Sequence, residues 1–201
     1  MSNVNPIEII SPDQFRKIPW KNGKGETLEL AVSEGGDVNG FEWRLSIASV
    51  TEDGEFSDFS GYWRNLVLIE GQGIDLTHDL EYTDNLREIL EFTTFDGGSK
   101  TCGQLVDGPI KDFNIMTKQG AYIPQVSTFH QLDSLLLDES VLNFIYALDN
   151  GELALHLGDF QQDVPVGHLV QINPYEEGDE ELGIAVAGKN LIVISFYPPQ
   201  D

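Results

Sequence analysis

Apolar residues along this chain recur mostly at every second position or in runs of four to six, and rarely at the spacing of a helix face. That pattern predicts strands over 7–10 (IEII), 27–32 (TLELAV), 41–50 (FEWRLSIASV), 65–70 (NLVLIE) and 91–95 (EFTTF). Further strands are predicted over 142–148 (LNFIYAL), 152–157 (ELALHL), 166–172 (VGHLVQI), 182–187 (LGIAVA) and 190–197 (NLIVISFY). Ser11-Pro12-Asp13 offers a cap, a proline at the first helical position and an early acid, so one or two helical turns are expected over 12–17. In the body of the chain only 84–90 (DNLREIL) reads as helical. The pairs Asp53-Gly54, Glu70-Gly71, Asp107-Gly108, Asn150-Gly151 and Gly158-Asp159 are expected to turn hairpins. The expected fold class is all-β, with sheets closed or sandwiched so that few edges stay bare.

An internal echo suggests two related halves. Asn65 to His78 (NLVLIEGQGIDLTH) and Asn143 to His156 (NFIYALDNGELALH) each begin with Asn, run through an apolar strand, place Gly ninth and end with His. No linker rich in Pro, Ser or charge divides them, so the division is expected at 1–118 and 119–201, packed as one unit.

Charge narrows the function classes. The 201 residues carry 34 acids against 11 Lys and Arg, a formal net charge of −23. Nucleic-acid binding and a basic hold on anionic membranes both need a cationic footprint, which this chain lacks. A hydrophobic content of 40% is too high for a disordered acidic chain. The single cysteine, Cys102, allows no internal disulfide and is expected to be a small buried hydrophobe. With no signal-like start and no long apolar stretch, a cytoplasmic location is expected.

Familiar catalytic patterns are missing. Gly71-Gln72-Gly73 and Gly23-Lys24-Gly25 are lone pairs that continue into no nucleotide-binding fingerprint, and there is no nucleophile elbow. His78, His130, His156 and His168 stand singly, each expected to be structural or at the surface. The segment 155–174 resembles the second signature of cupin barrels, but Val170 stands where a metal-binding His would fall. No His-x-His pair supplies the companion signature, so no metal and no cofactor is expected. The acidic run 176–181 reads as a solvated turn.

With so few cations, their positions carry information. Arg16, Lys17, Lys21 and Lys24 crowd together, and Trp20-Lys21-Asn22-Gly23-Lys24-Gly25-Glu26-Thr27 could form either an anion-binding nest or an ordinary glycine turn. In 41–47 the apolar residues share one face of the strand, so Glu42, Arg44 and Ser46 share the other. If that face lines a barrel, Arg44 can fork onto a carboxylate. Arg64 precedes the next strand. The alternative for both arginines is a surface salt bridge. The aromatics of 56–63 (FSDFSGYW) offer a candidate homodimer patch.

Four ordered blocks then resemble the HutD/Ves family. They are Trp20-Lys21-Asn22-Gly23-x-Gly25-x-Thr27, Phe41-x-Trp43-Arg44-x-Ser46-x-Ala48, Gly54-x-Phe56-Ser57-x-Phe59-x-Gly61-x-x-Arg64, and Leu105-x-Asp107-Gly108-Pro109-x-x-Asp112-Phe113-Asn114-x-Met116. Two departures are Lys24, where the family often has Gly, and Phe95-Asp96-Gly97-Gly98 in place of Phe-x-Gly-Asp. The resemblance implies a bicupin without metal ligands, associated with histidine utilisation. It implies a site for a small carboxylate metabolite such as urocanate or a formyl- or formimino-glutamate. The implied site residues are Trp20, Lys21, Asn22, Thr27, Arg44, Ser46, Arg64, Asp112 and Asn114, with Trp20 or Phe59 covering an apolar face. Three alternatives are an enzyme (a hydrolase or isomerase) with Asp112 as general base, a metal-dependent cupin, and a purely interacting protein.

Overall fold

The computed structural model describes residues 6–20, 25–37, 40–174 and 182–199. The chain opens with β1 (Ile7–Ile10) and a single 3-10 turn, Pro12–Gln14. There follow β2 (Arg16–Pro19), β3 (Gly25–Val32), β4 (Trp43–Val50), β5 (Gly54–Glu55), β6 (Tyr62–Glu70) and β7 (Ile74–His78). Next come β8 (Tyr82–Leu86), β9 (Phe92–Asp96), β10 (Thr101–Leu105) and β11 (Ile110–Lys118). The last five strands are β12 (Ile123–Leu136), β13 (Leu142–Leu157), β14 (Phe160–Val164), β15 (Leu169–Ile172) and β16 (Ile184–Tyr197). The fold is mainly β, as the alternation predicts. Among the described residues no helix is long and apolar enough to cross a membrane.

Two compact units divide the chain: Phe15–Tyr122, and Met1–Gln14 with Ile123–Asp201. The sequence reading places β1 with the first half. Instead β1 pairs antiparallel with β15, Ile7 opposite Ile172, so the start of the chain belongs to the C-terminal unit.

In the Phe15–Tyr122 unit a six-stranded sheet runs β2-β3-β4-β11-β6-β9 and a four-stranded sheet runs β5-β10-β7-β8. Val50, Leu66, Leu68, Phe95 and Ile110 from the first meet Ile74, Leu76 and Leu86 from the second in one buried cluster. In the other unit the sheet order is β1-β15-β13-β16-β12, with β14 on the far half of β13. Its core holds Ile145, Leu155, Val170, Val186 and Val193, with Ile7 and Ile9 packed on. Val170, at the cupin ligand position, is therefore core.

Several expectations change. Residues 82–86 form β8, paired with β7, so the helical reading of 84–90 fails; the exposed face of an edge strand carries polar residues that mimic a helix face. Only Pro12–Gln14 turns at the N-terminus, because β2 follows at Arg16. Asn150-Gly151 turns no hairpin: β13 runs through it, with a register shift between Ala147 and Glu152 opposite β16. The bulge is tight, since a Cβ on Gly151 would meet Lys189 O at 2.5 Å and one on Gly188 (φ +152) would meet Glu152 O at 1.9 Å. Cys102 is exposed, because alternation along β10 turns Thr101 and Gly103 inward and Cys102 outward. Strands β2, β5, β7, β8, β10, β11, β12 and β14 go beyond those predicted.

The echo has a counterpart in the pairing. β6 pairs with β11, the last strand of its unit, and with β9; the first part of β13 pairs with β16, the last strand of the chain, and with β15. Asn65 and Asn143, which open the two copies, are both buried. Asn65 accepts a hydrogen bond from Thr94 Oγ1 at 2.6 Å and Asn143 one from Ser195 Oγ at 2.6 Å.

Candidate functional site

The inner face of the six-stranded sheet carries polar residues in three lateral rows. Across the first, Arg44 on β4, Met116 on β11, Arg64 on β6 and Phe95 on β9 lie opposite one another in turn. The second runs from Glu29 on β3 through Ser46 and Asn114 to Leu66. The third runs from Thr27 through Ala48 and Asp112 to Leu68. Residues in lateral register share a face, as do residues two apart on one strand. Thr27, Arg44, Ser46, Arg64, Asp112 and Asn114 therefore share one surface, the one that also carries the core residues Leu66, Leu68 and Ile110.

Both arginines are buried, Arg44 at 5% and Arg64 at 6% exposure, which removes the surface salt-bridge alternative. Arg44 Nε donates to Glu29 Oε2 at 2.6 Å, and the other oxygen of Glu29 accepts from the more exposed Arg16 at 2.7 Å. The carboxylate that Arg44 holds in the structure is thus the protein's own. Glu29 lies two residues from Thr27 on the same strand face, the one polar position in the second and third rows that no motif marks in the sequence.

Arg64 is placed differently. Its Nη2 donates to Asn114 Oδ1 at 2.9 Å, and Asn114 Nδ2 donates to Asp112 Oδ1. The guanidinium carbon lies 5.2, 5.6 and 5.2 Å from the ring centroids of Phe56, Phe59 and Phe95. Among the described residues no carboxylate oxygen comes within 4.0 Å of it. Arg64 Nε and Asp112 Oδ2 are buried without hydrogen-bond partners. Burial pushes the Asp112 carboxyl up to about 7, against the opposing pull of Arg64 and Asn114. Burial also draws the Arg64 guanidinium down to about 10, opposed by Asp112 and aided by Arg44.

A histidine closes this interior from the other sheet. His78 is fully buried, with Nδ1 2.9 Å from Thr101 Oγ1 and Nε2 3.3 Å from Asp84 Oδ2. Its ring stacks on Tyr82 at 4.8 Å and lies 4.6 Å from Phe95, the ring that also meets Arg64. Burial lowers its pKa, with Asp84 opposing. The structure thereby adds Glu29, Phe56, Phe95 and His78 to the residues legible from sequence.

Trp20 donates from Nε1 to Thr27 Oγ1 at 2.9 Å and packs half-buried against the core cluster. Lys21, Asn22 and Lys24 lie outside the described residues, as does the acidic run 176–181. Of the aromatics in 56–63 only Trp63 is exposed, at 42%. Phe59 and Tyr62 turn onto Phe41, at 6.4 and 4.4 Å between ring centroids, and Phe56 turns onto Arg64. That segment packs inward, which counts against it as a dimer patch. Among the described residues no three His, Cys, Asp or Glu side chains come together as candidate metal ligands.

Comparison with known proteins bears on the fold and the family. A cupin 2 conserved barrel domain protein from Leptotrichia buccalis superposes with a TM-score of 0.55 at 12% identity, covering 90% of this chain and 96% of that one, and so shares the fold. The structure of HutD from Pseudomonas fluorescens SBW25 in a formate condition matches with a TM-score of 0.80 and 28% identity, over 96% of this chain and all of that one. An uncharacterized 21.2 kDa protein in the hutC 3' region of Pseudomonas putida is 30% identical over 94% of this chain and 97% of its own length. The HutD family model matches residues 12–174. The chain belongs to the HutD family.

Proposed function

We propose that this protein binds a small carboxylate of histidine degradation, of the urocanate or formyl- or formimino-glutamate kind, without a metal, and modulates that pathway. The observation that carries the reading is the buried Arg64, a guanidinium with aromatic, amide and methionine neighbours and no carboxylate in reach among the described residues. Two arginines sit in one row, about 10 Å apart at the spacing of two strands. Glu29 balances one of them, and Asp112, about half protonated near neutral pH, balances the other only in part. An interior with excess positive charge favours an anion, and a carboxylate matches the fork of a guanidinium. Ser46 and Asn114 supply polar edges beside it, and Phe59 an apolar wall.

The negative charge of the whole chain opposes capture at long range, so raised salt speeds association while the desolvated contacts set the affinity. The setting named for the Pseudomonas putida relative, in a hutC 3' region, supports the choice of pathway. Titration calorimetry with urocanate and with formylglutamate tests it. Saturable binding that Arg64→Gln weakens more than about tenfold is expected, since a charge-assisted bidentate pair is lost; no heat from either ligand overturns the reading.

A further inference from the structure

The two units differ at one edge. In the Phe15–Tyr122 unit the order β4-β11-β6 is extended on the β4 side by β3 and β2. In the C-terminal unit the matching order is β12-β16-β13, and among the described residues no strand pairs with the outer edge of β12. β12 occupies the place of β4, and among the described residues no strand takes the place of β3 beside it. The fourteen residues of β12 include no fully buried one.

Edges of this length are normally guarded by charge, proline or a bulge. Here Pro124 guards one end and the bulge between Leu132 and Leu135 the other. Between them Gln125-Val126-Ser127-Thr128-Phe129-His130-Gln131 forms an unbroken ladder with β16 up to Phe129, and carries no acid and no Lys or Arg. We propose that this edge binds a second copy of the chain, β12 pairing antiparallel with β12 about a twofold axis at Thr128.

The charge distribution selects this occupant. A basic partner would seek acids, which 125–131 lacks. Another copy carries −23 and is repelled by most of the surface, so it approaches most easily where both faces are neutral. A twofold axis presents one edge to itself, as an isologous contact requires. Centred on Thr128, the register sets Gln125 opposite Gln131, Val126 opposite His130 and Ser127 opposite Phe129, with Thr128 facing its own copy. The new strand supplies to β12 what β3 supplies to β4.

Sedimentation equilibrium of the full chain over a dilution series tests the interface. A monomer–dimer equilibrium that tightens in high sodium chloride is expected, because salt screens the self-repulsion. Gln125 and Gln131 are exposed, so substitutions there spare the core. Gln125→Lys with Gln131→Lys sets like charges opposite each other and weakens the dimer more than about tenfold, whereas Gln125→Glu with Gln131→Lys retains it. Independently, Thr128→Cys in a Cys102→Ser background yields a disulfide-linked dimer on mild oxidation. A wild type that stays monomeric at high concentration and high salt overturns the proposal. So does a dimer indifferent to the lysine pair, or one that fails to cross-link at position 128.

Discussion

Arg44 Nε and Glu29 Oε2 lie 2.6 Å apart with both side chains buried, so the guanidinium of β4 comes already joined to a carboxylate of β3. Removing one member of such a pair strands the other charge in the interior. Arg44→Ala should therefore destabilise the fold by about 3–5 kcal/mol, and Arg44→Met with Glu29→Leu by much less. Urea unfolding of Arg44→Met, of Glu29→Leu and of the double gives the coupling. Additive effects would show that the pair is electrostatically idle.

Asp112 makes a pH prediction of defined sign. Its folded pKa, about 7, lies above the unfolded value near 4, so between those limits the native state binds more protons than the unfolded one. Stability from this group is fully present below about pH 4 and declines as pH rises towards 7. Asp112→Asn keeps an acceptor for Asn114 and removes the titration. The variant should gain on the order of 3–4 kcal/mol over wild type at pH 8 and almost nothing at pH 4. Equal differences at the two pH values would remove Asp112 as the titrating group.

The same carboxyl couples to the proposed ligand. An anion placed near Arg64 raises the cost of ionising Asp112, so binding should draw in a proton near pH 7. Calorimetry in buffers of different ionisation enthalpy measures that uptake, and Asp112→Asn should abolish it.

His78 works in the opposite direction. Burial depresses its pKa below the unfolded value near 6.5, so its contribution is present above that value and is lost as pH falls from there through the lower folded pKa. His78→Gln should flatten the acid limb of the stability profile, read as thermal midpoints between pH 5 and 7. An unchanged acid limb would assign it to other groups.

Gly188 tests the tight bulge. Its φ of +152 and the 1.9 Å approach of a Cβ to Glu152 O leave no room for a side chain against backbone. Gly188→Ala should cost about 1–3 kcal/mol or more, seen as a lower urea midpoint.

Much of this architecture was legible in alternation alone, because a strand with one buried face writes its period into the sequence. Arg44 and Ser46 were assigned to one face from Phe41 and Trp43 on the other, and the structure gathers Thr27, Arg64, Asp112 and Asn114 onto the same surface. Other elements left no such trace. β12 has no fully buried residue, so it carries no strong alternation. The polar residues of β8 mimicked a helix, and Asn150-Gly151 has the composition of a hairpin turn although it forms a bulge. Composition alone misplaces Cys102, because inside or outside depends on strand phase, which composition does not contain. The partners Glu29, Phe95 and His78 come from strands distant in sequence, and only the pairing of β3, β9 and β7 with their neighbours brings them to the arginines.

The contrast between the broken β6–β7 pair and the continuous β13 has a practical outcome for grafting. Gln72, exposed between β6 and β7, offers a joint where added residues can loop outward or new chain ends can be opened. The matching position, Asn150, is part of an unbroken ribbon clasped by Gly188 and Lys189, and an insertion there would pull that clasp apart.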